Sequence, residues 1–135
     1  MKVLVDTPIW SLALRRRSRS QTTPATSELA SLIDDGRVAM IGPIRQELLS
    51  GLKEPAQFER LREHLRAFSD SPMTMDDYEE AASFYNLCRT KGIQGSNTDF
   101  LICAVAARND FTIFTIDEDF VHFAKILPIV LHSGV

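Results

Sequence analysis

The chain has 135 residues, 44% of them hydrophobic, enough to bury one compact core, and a single domain spanning residues 1–135 is expected. A formal charge of −3 and a pI near 5.6 exclude a protein that binds nucleic acid through overall basicity. They also count against an RNA substrate, unless several acids are gathered in one site and neutralised by divalent metal.

In chain order, the first β-like run is Lys2 to Val5, followed at once by Asp6, and Pro8 suits the first turn of a helix. That Asp arrives too early for a signal sequence, and no run approaches the roughly 20 unbroken apolar residues a membrane helix needs, so no membrane role and a cytoplasmic location are expected. Helical periodicity covers Ala25 to Asp35, a second β-like run is Arg37 to Ile41, and helices are expected over Pro43 to Gly51, Gln57 to Phe68, Asp76 to Arg89 and Asp99 to Arg108. Within Gln57 to Phe68 the set Phe58, Leu61, Leu65 and Phe68 recurs at three- and four-residue steps and makes one apolar stripe. The last β-like runs are Phe111 to Ile116 and Ile129 to Leu131. Strands separated by whole helices imply crossover connections, hence an α/β sandwich with a mostly parallel sheet covered on both faces. Cys88 and Cys103 lie in helical patterns that suit free thiols packed as small hydrophobes, and His64, His122 and His132 show no zinc-ligand spacing.

Ligands of such sheets gather beyond the carboxyl ends of the strands, and carboxylates stand there in this chain. Asp6 follows the first strand, Glu47 lies in the helix after the second, and Asp117 with Asp119 closes the run Phe111 to Ile116. Asp99 opens a helix whose body, Phe100 to Ala107, is apolar on every side and therefore buried. Helix capping is the competing explanation for Asp6 and Asp117, whereas Ser96, Asn97 or Thr98 can cap the helix of Asp99 in its place. Glu47 lies beside the apolar face of Ile44 and Leu48, where an unpaired carboxylate is costly. Carboxylates brought together repel unless protonated or joined by cations, and oxygen-only ligation suits Mg²⁺ or Mn²⁺.

The runs VDTPIW, GPIRQELLSG, NTDFLICAVAARND and FTIFTIDEDF resemble, in order and spacing, the four acidic motifs of PIN-domain ribonucleases, most closely the VapC-type toxins of toxin–antitoxin pairs. The resemblance runs from Val5 to Phe120. It implies a three-layer sandwich with a central sheet of four to five strands, and metal-assisted hydrolysis of RNA phosphodiester bonds with Mg²⁺, or Mn²⁺ as substitute. It assigns Asp6, Glu47, Asp99 and Asp117 to the catalytic, metal-binding set, with Asp119 as competitor or supplement for the last place. It implies that Thr115 supports the site through a hydrogen bond, although an ordinary β-branched strand residue is an equal explanation. Pro8 departs from the pattern, since a small hydroxyl residue is common there; Thr7 is left to supply a hydroxyl to the site or to cap the following helix. A homodimer and a small VapB-type antitoxin as partner are further implications.

Around the site, Arg15, Arg16, Arg17 and Arg19 form the densest basic cluster, either a solvated loop or a contact for RNA or an acidic partner. Arg89 and Lys91 stand near Gly92 and Gly95 as further candidates for the rim; Trp10 and Tyr85 fall on apolar helical faces and are expected in the core rather than stacked on bases. Haloacid-dehalogenase-like phosphatases also place an Asp after the first strand, but they need a second two residues later, where Pro8 stands. Two rivals to the toxin stay open: an RNA-processing nuclease, and a non-catalytic binding module whose acids are only caps and surface charge.

Overall fold

A run of Val and Leu with no polar member can be buried on both sides only as a strand covered by helices on both faces. In the computed structural model Val3, Leu4 and Val5 form that strand, β1, and each is fully buried. Residues 1–15 and 23–133 are described, Arg15 by its backbone alone. Beyond β1 (Val3–Val5) the order is α1 (Thr7–Arg15), α2 (Pro24–Asp34), β2 (Val38–Ala39), α3 (Gly42–Leu49), α4 (Pro55–Leu65), α5 (Met75–Thr90), α6 (Asn97–Asn109), β3 (Thr112–Phe114) and α7 (Asp119–Ala124). The sheet order is β2-β1-β3 and both pairings are parallel, with Leu4 opposite Ala39 on one side and Ile113 on the other.

The expected four to five strands resolve into three ladder strands with one bridged segment beyond each edge. Outside β3, Leu131 bridges Ile113, whose N–H donates to the Val130 carbonyl at 2.9 Å and whose carbonyl accepts from His132 at 2.7 Å. Pro128, lacking an N–H, stands just ahead of this segment. Outside β2, Met40 bridges Asp70, and Arg45 of α3 ties the same region down. The Arg45 guanidinium donates to Asp70 Oδ1 and the Leu65 carbonyl, both at 3.0 Å, and to the Phe68 carbonyl, so it clamps the end of α4 against α3.

The apolar helix Asn97–Asn109 is central to the packing, with Phe100, Ile102, Cys103, Ala104, Val105 and Ala106 all buried. It packs on α5 through Ala81, Phe84 and Cys88, and an ion pair of 3.0 Å between Arg108 and the buried Asp77 joins the two helices. Both cysteines are free and buried, and burial raises both thiols above their ordinary range. The helix expected to Phe68 ends at Leu65; of its stripe, Leu65 is buried, while Leu61 and, beyond the helix, Phe68 pack against the core from its margin. Among the described residues no helix is long and apolar enough to cross a membrane.

The turn into α6 is held by close packing at Gly95. A Cβ there would come to 2.6 Å from Phe123 Cζ and 3.0 Å from Phe100 Cε2, and these two buried rings already pack on each other with centroids 4.9 Å apart. Gly95→Ala is therefore expected to destabilise the protein by about 1–3 kcal/mol, seen as a lower Tm; an unchanged Tm would show that the rings can yield.

Candidate active site

Parallel strands direct their carboxyl ends to one side of the sheet, and the acids singled out in the sequence follow those ends. Asp6 leaves β1 and opens α1, its carbonyl accepting from Ile9 N at 3.1 Å. Its side chain does not make the usual capping bond to the second or third helical N–H. Instead Oδ1 accepts from Thr7 N at 2.9 Å, and Oδ2 accepts from the Thr115 hydroxyl at 2.8 Å, 109 residues away. The residue is only 4% exposed. Burial pushes its pKa up to about 6; the Thr115 and Thr7 hydrogen bonds oppose the rise, and the charges of Asp99 and Asp117 add to it.

Thr115 links two of the acids. Besides donating to Asp6, its hydroxyl accepts from Asp117 N at 3.0 Å, which fixes the turn presenting Asp117. Asp117 Oδ1 in turn accepts from Asp119 N, the first residue of α7, at 2.9 Å, and Asp117 also lines the site. On α6, Ser96 is the N-cap: its hydroxyl accepts from Asp99 N at 3.1 Å, and Asp99 Oδ2 accepts from Ser96 N at 3.0 Å. Asp99 is half-buried, and desolvation raises its pKa against the opposing Ser96 bonds, with Asp117 and Asp119 adding repulsion. One carboxylate oxygen thus serves the cap and leaves the other for a further role.

Glu47 departs from expectation. It is exposed rather than held beside the apolar face, because Ile44 and Leu48 turn into the core while Glu47 projects from the flank of α3. Its partner is the Thr7 hydroxyl, which donates to Oε1 at 2.6 Å. Thr7 therefore supplies its hydroxyl to Glu47, and Pro8 beside it lines the cavity without a donor.

Asp6, Glu47, Asp99 and Asp117 all line one open cavity of about 780 Å³, together with Thr7, Ser11 and Gln46. Asp119 is exposed and does not line it, acting on Asp99 through charge alone. Gln46 was not singled out in the sequence; its position next to Glu47 on α3 was the available signal. Among the described residues, no three of the His, Cys, Asp or Glu side chains stand close enough to form a ready-made metal cage. The acids instead border a wide, water-accessible space with an oxygen-only donor set.

Other candidates lie elsewhere. Trp10 is buried in the core, its ring edge-on to Phe68 at 5.1 Å. Tyr85 packs on Phe100 at 5.5 Å, and its hydroxyl accepts from Arg89 at 3.1 Å. Arg89 lines a separate cavity of about 280 Å³ with Gln94 and Gly95, and Lys91 is exposed at the end of α5. Neither borders the acidic cavity. Arg16, Arg17 and Arg19 and the side chain of Arg15 fall outside the described residues.

A helix-flanked parallel sheet with carboxylates beyond its strand ends defines a class of α/β sandwich, and the family model for the PIN domain matches residues 3–126. The chain belongs to the PIN domain family. Its fold is similar to that of FitAcB from Neisseria gonorrhoeae, with a TM-score of 0.76 at 21% identity, covering 98% of this chain and 97% of the other. VapBC2 from Rickettsia felis, solved bound to a DNA fragment from its promoter, gives a TM-score of 0.77 at 20% identity and covers 98% of each chain. VapBC-1 from nontypeable Haemophilus influenzae gives 0.70 at 14% identity, covering 99% of this chain and 98% of that one. No curated protein matches the sequence.

Proposed function

We propose that this PIN-domain protein is a divalent-metal-dependent endoribonuclease acting as the toxin of a toxin–antitoxin pair. The observation that carries the reading is the convergence of Asp6, Glu47, Asp99 and Asp117 on one cavity beyond the strand ends. Four like charges at one place need an agent that offsets their repulsion, and hard oxygen donors around an open space suit Mg²⁺ or Mn²⁺, which keep several waters and take few protein ligands. When bound, such an ion supplies positive charge that acidifies water and stabilises negative charge developing on phosphate oxygens. Asp6, Asp99 and Asp117 would hold it in part through its retained waters, with Glu47 as the exposed fourth acid, placed to orient water or take its proton. Asp117 is assigned to the ion in preference to Asp119, because Asp117 lines the cavity and Asp119 does not. Thr115 and Thr7 hold Asp6, Asp117 and Glu47 in place. A chain of this size and fold is one domain in this reading, cytoplasmic, homodimeric, and silenced by a VapB-type antitoxin. The similarity to solved VapBC2 and to a solved toxin–antitoxin complex from Klebsiella pneumoniae supports that partner.

Purified protein incubated with labelled total tRNA and ribosomal RNA in Mg²⁺ or Mn²⁺ is expected to give discrete fragments that a chelator abolishes. No cleavage with either ion, or cleavage indifferent to the chelator, would sink the reading.

A further inference from the structure

The acidic cavity continues into a second groove of about 720 Å³, and Ser11, Glu47 and Ser50 line both. One wall of this groove is apolar, with Leu48, Leu52 and Leu61, and its far lip carries Arg60 and His64 of α4. These two residues are four apart on one helix, so their side chains stand on the same face one turn from each other.

Their lack of partners sets them apart from the neighbouring arginines. Arg62, two residues from each, is engaged by Glu59 at 2.6 Å, and Arg45 is engaged by Asp70 at 2.9 Å. Among the described residues neither Arg60 nor His64 has a hydrogen-bond or ion-pair partner for its side chain. The acid on the groove lining, Glu47, already accepts the Thr7 hydroxyl. The Arg45 clamp fixes the end of α4 against α3, so the two basic side chains rise from a backbone held in place relative to the acids.

Resting on the ribonuclease reading, we infer that Arg60 and His64 form the subsite that receives the RNA strand as it leaves the cleavage centre. A polyanion entering an acidic cavity on a protein of net charge −3 is repelled along most of its path. Unpaired basic groups on the continuous groove offset that repulsion where the neighbouring phosphates pass, while the leucine wall meets the faces of ribose and base. Arg60 supplies a planar donor fork suited to phosphate, and His64 a ring donor beside it. Both are positioning residues for the substrate and take no part in the bond-breaking step.

The test measures binding separately from cleavage. In an Asp99→Asn background, which keeps a capping oxygen for Ser96, fluorescence anisotropy would follow a labelled single-stranded RNA of about ten nucleotides, within the usual site size of such grooves. Adding Arg60→Gln is expected to weaken binding about tenfold and to reduce the slope of log affinity against log salt by about 0.7. Adding His64→Gln should weaken binding further, whereas Arg66→Gln, removing an exposed charge at the end of α4 outside the groove, should leave it unchanged. Equal affinity and salt slope for the Arg60, His64 double substitution and its parent would overturn the subsite. So would a double substitution that spares RNA binding but abolishes capture of a partner protein, since the groove would then be a protein site. Cleavage by the wild type with no effect of the double substitution on binding would remove the subsite alone. Binding that depends on Arg60 without any cleavage would remove the nuclease reading alone.

Discussion

Asp6→Asn is expected to lower RNA cleavage roughly a thousandfold, the scale on which single preorganised electrostatic groups act in active sites, and at the same time to make the metal-free protein more stable. The two effects have one origin. Asp6 is buried next to like charges, and its carboxyl in the fold titrates near 6 instead of 3.8. A carboxyl whose pKa is raised by folding makes the native state bind its proton more tightly than the unfolded chain. Below about pH 4 the group is protonated in both states and costs nothing. Between about 4 and 6 stability falls as pH rises, and above 6 the penalty reaches on the order of 3 kcal/mol. The amide carries no charge and keeps the Thr7 bond, but its NH₂ obliges the Thr115 hydroxyl to turn from donor to acceptor, so the net gain should be about 1–2 kcal/mol. Thermal melts of the chelated protein should show the variant ahead at pH 7.5 and behind the wild type near pH 4, where only the cost of the reversed Thr115 bond remains. Undiminished turnover would remove Asp6 from the reaction, and a stability gain independent of pH would show that its charge is not the cause.

The same physics explains what could be read from the sequence. Burial on both faces leaves runs rich in apolar residues, so the β1 and β3 strands and the helix with the apolar body Phe100 to Ala107 were legible within a few residues. Helix α7 was not, because six residues give too little periodicity, and its start is fixed by Asp117 accepting from Asp119 N. Edge segments such as Ile129 to Leu131 carry strand composition but only bridge the sheet, an outcome set by their neighbours.

The site was legible as a list of acids and less so as an arrangement. Their positions after strands follow from topology. That Asp117 lines the cavity and Asp119 does not depends on the turn held by Thr115, and the exposure of Glu47 on the rotation of α3 about the core side chains Ile44 and Leu48. Contacts spanning 40 and 109 residues, Thr7 to Glu47 and Thr115 to Asp6, have no local signature. The Arg60 and His64 lip is similar: each is an ordinary surface residue of a helix until α4 is seen beside the acidic cavity.

Those long-range hydroxyl bonds make Thr115→Val the sharpest test of how the acids are held. Valine keeps the shape and removes one oxygen, leaving Asp6 Oδ2 in its buried place without a donor and Asp117 N without an acceptor. Since the Thr115 bond lowers the Asp6 pKa, its loss should push that carboxyl above its present value near 6, so that less of it is ionised at neutral pH. Metal affinity is expected to drop 10–100-fold, the usual cost of removing a group that orients a metal ligand. Cleavage at limiting Mn²⁺ should drop equally and recover in part with excess ion, and the rising limb of the pH–rate profile should move to higher pH. Metal-free stability should fall by about 1–2 kcal/mol, opposite in sign to the Asp6→Asn change. Thr115→Ser, which retains the hydroxyl, should restore both metal affinity and pH profile. A valine variant with wild-type Mn²⁺ dependence would show that the hydroxyl only builds the strand end, and a serine variant as impaired as valine would assign the effect to the lost methyl group.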